Sequence, residues 1–328
     1  MRRPIVDFHT HYANPRLPAL PPPHSAASLA ARWGGLARRI ADLDDLLGET
    51  GRQDIDLRVL SAPPSLVTPA GRRTTRAELR LLNDHLAAVT SRVPDRLTGL
   101  ATVDAFAGDA AADEVVRAVR ELGLPGVVVD CATETQLLGS PTARPTLAAA
   151  AELGVPVLAH PVSTRTLSLA LTGLGRFGTS LARGTGNAAA LLSLLTEGVL
   201  EELPGLHVVF PMLGVAGLAL AAATDEGEAL TSRAPGRERA RVYLDTMGFA
   251  PAAIRLATDV LGVEHVLVGS DWPIGARSAG RERVERALAA AGLDAAQADL
   301  VAGGNALRLL GRSHPAAAPT RPAARPAG

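Results

Sequence analysis

Two histidines stand one residue apart near the start of the chain, in the run VDFHTH from Val6 to His11. Alternate side chains of an extended strand share a face, so His9 and His11 can both reach one ion. Alone, such a pair is weak support for a site. Its weight comes from two further positions: His160 follows the apolar run Pro156–Ala159, and Asp271 follows His265–Gly269 within GSDWP. Three imidazoles and one carboxylate suit a single divalent ion, most simply Zn²⁺. The remaining coordination position would hold water, with its pKa lowered toward about 7. With Asp271 as base, this is equipment for hydrolysis.

These side chains need a scaffold that gathers strand ends. Eight short runs read as strands: Pro4–Phe8, Asp56–Leu60, Leu97–Val103, Gly126–Asp130, Pro156–Ala159, His207–Phe210, Val242–Asp245 and His265–Gly269. Helical patterns such as Thr75–Val93, Ala110–Leu122, Ala188–Glu202 and Pro251–Leu261 lie between them, several ended by Gly or Pro. Repeated βα units over this length predict an α/β chain with a single (β/α)8 TIM barrel spanning residues 1–311. Its active site would lie where the strands end. No GxGxxG follows the first strand, which argues against a dinucleotide-binding sheet. Asn14–Ser25 is a proline-rich loop expected to overhang the barrel mouth. Arg312–Gly328 is rich in Pro and Ala with no apolar periodicity, and is expected to be a disordered tail.

Composition narrows the chemistry. The 328 residues carry 33 basic and 33 acidic groups, so no net charge recommends a nucleic acid or an acidic membrane as partner. No run of 18 apolar residues occurs, so no membrane span is expected. A small-molecule substrate is the expected partner, with a homodimer left open. All 33 basic residues are arginine. Without lysine there is no Schiff base, no Walker A loop and no carbamylated lysine to bridge two metals. Cys131 is the single cysteine, so no intrachain disulfide can form, and a reducing, cytoplasmic setting is expected.

The segments VDFHTH, VLAHP, VGSDWP and AGGNALRLL together resemble the amidohydrolase superfamily. More narrowly they are similar to its branch of aminocarboxymuconate-semialdehyde decarboxylase and related decarboxylases, hydratases and hydrolases. DLRVLSAPP, NDHLAAV with PDRLTGLATV, and ELGLPGVVVD extend the likeness from about Ile5 to Leu310. The resemblance implies a distorted TIM barrel and one divalent metal, often Zn²⁺. By motif, its ligands fall on His9, His11, His160 and Asp271.

One departure bears on mechanism. The family ends its sixth strand with a histidine in a pattern like FxHGGG, whereas this chain reads Phe210-Pro211-Met212-Leu213-Gly214. Met212 takes the place of a group that the resemblance makes an acid/base partner in the decarboxylases, and a thioether cannot take a proton. Ala223 stands where an arginine often follows. His24 on the loop after the first strand and Asp130 at the end of the fourth are candidates to compensate or to bind substrate. Arg165 and Arg183 are candidates to grip a substrate carboxylate, and Trp272 to stack on a planar substrate. His207 and His265 begin strands, at the face opposite the site. The residues present favour hydrolysis with Asp271 as base; the resemblance favours non-oxidative decarboxylation. A third reading is a barrel turned to cyclisation, rearrangement or ligand binding.

Overall fold

The computed structural model describes residues 2–22, 25–224, 230, 241–275 and 280–312. His24 and the residues from 313 onward lie outside that set. Among the described residues nine parallel strands follow one another: β1 (Val6–His11), β2 (Leu57–Ser61), β3 (Leu97–Gly99), β4 (Ala101–Thr102), β5 (Val127–Asp130), β6 (Pro156–His160), β7 (His207–Phe210), β8 (Arg241–Asp245) and β9 (Val266–Leu267). Each pairs with the next in chain order within two sheets, β1–β3 and β4–β9. Two joins make them one ring. Leu100 N donates to Leu60 O at 2.8 Å and Ala101 N to Gly126 O at 2.9 Å, so β3 and β4 are halves of one stave. Phe8 N donates to Val268 O at 2.8 Å and Asp271 N to His9 O at 2.9 Å, which closes β9 onto β1. The result is the expected eight-stave TIM barrel.

Parallel strands covered on both faces need apolar residues inside and out. Val6, Phe8, Leu57, Val59, Leu100, Val128, Leu158, Val209, Tyr243 and Leu267 form a cluster that takes residues from all around the ring and fills the lumen. Leu307 joins it from the C-terminal helix Asn305–Leu309, and Leu310 from the residue that follows it. That explains the AGGN segment. Asn305 Nδ2 donates to Val263 O and Val266 O, both at 2.8 Å, tying this helix to the start of β9. At Gly303 a Cβ would lie 2.7 Å from Pro4 O, so only glycine fits.

Strand β1 does not alternate simply. Asp7 pairs with Arg58 but Thr10 pairs with Leu60, so β1 spends three residues where β2 spends two. This bulge lets Phe8 face the lumen while His9 and His11 also turn inward above it. Several boundaries shift. The expected helix Ala188–Glu202 is instead a long helix, Arg176–Thr196, and a short one, Val199–Glu202, parted at Gly198 with φ +66°. The expected Thr75–Val93 helix runs Arg76–Thr90, opened by a reciprocal cap between Thr75 and Glu78. Arg312 is docked rather than part of a tail, since its guanidinium donates to Pro94 O at 2.6 Å.

Candidate metal centre and active site

The barrel brings His9 and His11 of β1 together with His160 of β6, one ring nitrogen from each lying within 4.8 Å of the others. All three are buried. Their rings meet edge to face, with centroids 5.2 to 6.1 Å apart. Asp271 joins from the turn after β9: its Oδ1 lies 3.0 Å from His11 Nε2 and 3.6 Å from His9 Nε2. The four residues expected as ligands therefore converge.

Buried ring nitrogens without partners test the fit to a metal. His9 Nε2, His11 Nδ1 and His160 Nδ1 have no hydrogen-bond partner among the described residues. Leaving such atoms dry and unpaired is unfavourable, and a divalent ion would satisfy those that face the centre. Protonation favours the same reading. Burial, with Arg183, His11 and His9 nearby, drives the pKa of His160 well below its ordinary value. Burial also lowers His11, against the pull of Asp271. Burial would raise the carboxyl of Asp271, but the hydrogen bond with His11 and the charges of His9, His11 and Arg183 outweigh it and hold it below the ordinary range. Neutral imidazoles at His11 and His160 and an ionised carboxylate suit a divalent cation, and His9 would release its proton on binding one.

His9 has a support that the sequence reading did not assign. Asp245, at the C-terminal end of β8, accepts from His9 Nδ1 at 2.7 Å, which leaves Nε2 as the free donor atom. Although burial opposes it, this carboxylate raises the pKa of His9. The other oxygen of Asp245 accepts from Met212 N at 3.0 Å and Met247 N at 2.8 Å. Gly269 makes room: a Cβ there would sit 2.6 Å from Asp245 Oδ2. Asp245 ends a strand on the catalytic side, the same position that marked His160, so the signal was present.

A cavity of about 440 Å³ opens beside this cluster, reaching His160, Arg183, Asp130, Ser65, Phe106 and the loop around Arg73. Arg183 comes from helix Arg176–Thr196, its Nε donating to Pro161 O at 3.0 Å and Nη2 lying 3.2 Å from His160 Nε2. Among the described residues it forms no ion pair, and burial lowers its pKa, partly offset by Asp271, Cys131 and Asp130. Asp130 accepts from Ser65 N at 2.8 Å and Ser65 Oγ at 2.7 Å. Burial pushes its carboxyl up to about 7 despite those bonds.

The other expected site residues lie elsewhere. Met212 is buried and begins a turn at the end of β7, its backbone held by Asp245. Arg165 is exposed at the start of helix Arg165–Ala170, and it does not line the cavity. Trp272 also lies off the cavity lining: its ring packs between the guanidiniums of Arg39 and Arg58, 5.1 and 5.6 Å from its centroid. The reason is register, since Trp272 pairs with Thr10 on the outward face of β1. Cys131 is inert, its thiol pushed up to about 11 by burial.

Residues 6–312 match the sequence pattern of the amidohydrolase family, and the chain belongs to that family. It is an enzyme of the amidohydrolase superfamily, similar to the branch of aminocarboxymuconate-semialdehyde decarboxylase. It is 24% identical over 246 residues to the 2-amino-3-carboxymuconate-6-semialdehyde decarboxylase of Dictyostelium discoideum, covering 71% of this chain and 67% of that protein. It is 27% identical over 264 residues to the gamma-resorcylate decarboxylase of Rhodococcus jostii (strain RHA1), covering 74% and 80%. The solved structure of a dihydroxybenzoic acid decarboxylase from Polaromonas sp. JS666, with bound manganese and the inhibitor 2-nitroresorcinol, matches with TM-score 0.75 and 22% identity. That match covers 94% of this chain and 97% of that one. Among the described residues no helix is long and apolar enough to cross a membrane.

Proposed function

We propose that the protein is a divalent-metal-dependent, non-oxidative decarboxylase of a small carboxylated phenol or enol. The observation that carries this reading is Arg183, a cation lining the cavity beside the histidine cluster with no carboxylate of the described residues paired to it. A guanidinium in that position lacks a paired carboxylate among the described residues, and a substrate carboxylate supplies one. The activities of the named relatives support decarboxylation over the hydrolysis that the residues alone favoured.

His9, His11, His160 and Asp271 would hold the ion, zinc or manganese. When bound, it supplies Lewis-acid polarisation of a substrate oxygen. Arg183 holds and orients the carboxylate. Asp271, ionised before substrate arrives, takes the proton of the hydroxyl beside the carboxylate and returns it to the carbon that bears the carboxylate. The bond from that carbon to the carboxylate then breaks, its electron pair restores the double bond, and CO₂ leaves. Hydrogen has replaced the carboxylate. This cycle needs one acid/base group, so Met212 in place of the family histidine does not block it.

The metal-loaded enzyme, incubated with a panel of ortho-hydroxybenzoates, should deplete at least one of them, followed by ring absorbance. Asp271→Asn should lower kcat by about 100-fold or more, as loss of a general acid/base group does. Turnover of simple lactones or esters, with every carboxylated phenol untouched, would return the assignment to hydrolysis.

A further inference from the structure

Behind the metal centre, on the outward face of β1, the carboxylate of Asp7 is fully buried and saturated. Its Oδ1 accepts from Ser270 N at 2.9 Å and His9 N at 3.3 Å. Its Oδ2 accepts from Ser270 Oγ at 2.6 Å, from Thr10 Oγ1 at 3.0 Å and from the guanidinium of Arg58. Arg58 is fully buried as well, with Nε donating to Thr50 Oγ1 at 2.9 Å and Nη2 to Gln53 Oε1 at 2.6 Å. Ser270 Oγ accepts in turn from Trp272 N at 3.0 Å. One carboxylate thus grips the backbone on both sides of Asp271, directly at residue 270 and through a hydroxyl at residue 272.

Between those two grips Asp271 adopts φ +59°, the left-handed region, which Asp enters more readily than most residues with a Cβ but still infrequently. In that conformation its Oδ1 reaches His11 Nε2 and its N donates to His9 O.

We infer that Asp7, Arg58 and Ser270 are positioning residues, a clamp that fixes the backbone of Asp271 and so aims its carboxylate at the metal centre. The inference rests on the reading of Asp271 as a metal ligand proposed above. A pair that served stability alone would be replaceable by apolar side chains, as buried ion pairs often are. That role gives no reason for the hydroxyl bridge from Asp7 to Trp272 N around a left-handed residue. Arg58 neutralises Asp7 so that a full carboxylate, with acceptors for five donors, can stay buried.

The test uses the full chain, stripped with a chelator and titrated with Mn²⁺ alone by calorimetry. Ser270→Ala removes the bridge and should weaken Mn²⁺ binding about 10- to 100-fold, the range for lost support of a ligand. Ser270→Thr keeps the hydroxyl and should restore binding. The double variant Asp7→Asn/Arg58→Met removes both charges, so it should melt near the wild type yet still bind Mn²⁺ at least about tenfold more weakly. Asp271→Ala measures what losing the carboxylate costs. If Asp271→Ala weakens binding and Ser270→Ala does not, the clamp is overturned alone. If Asp271→Ala binds as the wild type does, the ligand role falls, and the clamp with it.

Discussion

Arg183→Met removes the cation at the cavity and keeps much of the side chain's apolar stem. Two opposing effects set its influence on stability. It relieves a buried charge with no ion-pair partner among the described residues, and it removes the bonds from Arg183 Nε to Pro161 O at 3.0 Å and from Nη2 to His160 Nε2 at 3.2 Å. The lost bonds cost about 1 kcal/mol each. Relief of the buried charge returns about 1 kcal/mol or more. The two effects largely cancel, so Tm should move by no more than about 3 °C in a chain of this size. Substrate binding has no such compensation. A hydrogen bond between charged groups contributes about 1.5–3 kcal/mol, and about 1.4 kcal/mol is a factor of ten. KM for a carboxylated phenol should therefore rise roughly 10- to 150-fold. Steady-state kinetics and thermal melting on the same preparation measure both quantities. An unchanged KM, or a Tm lower by ten degrees or so, would show that Arg183 holds the fold rather than the substrate.

Three further outcomes follow from the same geometry. His160→Ala should lose most of the bound divalent metal under metal-replete expression, because His160 is one of the three imidazoles of the cluster; elemental analysis showing wild-type content would contradict this. Glu78, held down to about 2 first by the hydrogen bond from Arg72 and then by its capping bonds with Thr75, contributes stability above about pH 4.5 that fades as the pH falls toward 2. Glu78→Gln should thus lower Tm by about 1–2 °C at pH 7 and leave it unchanged at pH 2, and melts at both values decide it. A chain ending at Arg312 should keep the Tm and turnover of the full protein, since residues beyond it offer no apolar face to bury; a loss of several degrees would show that they dock.

The parts of the site that follow from chain period and strand ends were legible in the sequence. His9, His11, His160 and Asp271 each stand where an apolar run stops, and a closed parallel barrel has no choice but to gather such ends at one mouth. Asp245 stands at such an end too, but a carboxylate that supports a histidine resembles any strand-ending aspartate until the distance between them is known. Arg58 gave less warning. A charged residue within LRVLS suggests an exposed strand face, whereas it lies buried under Thr50 and Gln53 with Asp7 as partner. The bulge in β1 was invisible, because two-residue periodicity cannot reveal an extra residue without the partner strand. Trp272 follows from the same register: adjacency to Asp271 suggested the cavity, and the pairing with Thr10 sends the ring to the outer layer.

The central claim is that a carboxylate leaves as CO₂ while Asp271 moves one proton to the vacated carbon. Substrate labelled with ¹³C in its carboxylate, turned over in D₂O and followed by NMR, tests it most directly. The account predicts one labelled CO₂ or bicarbonate per turnover and one deuterium at the carbon that bore the carboxylate, with both signals lost in Asp271→Asn. Label retained in the organic product, with oxygen from solvent gained by an ester or lactone carbonyl, would contradict it.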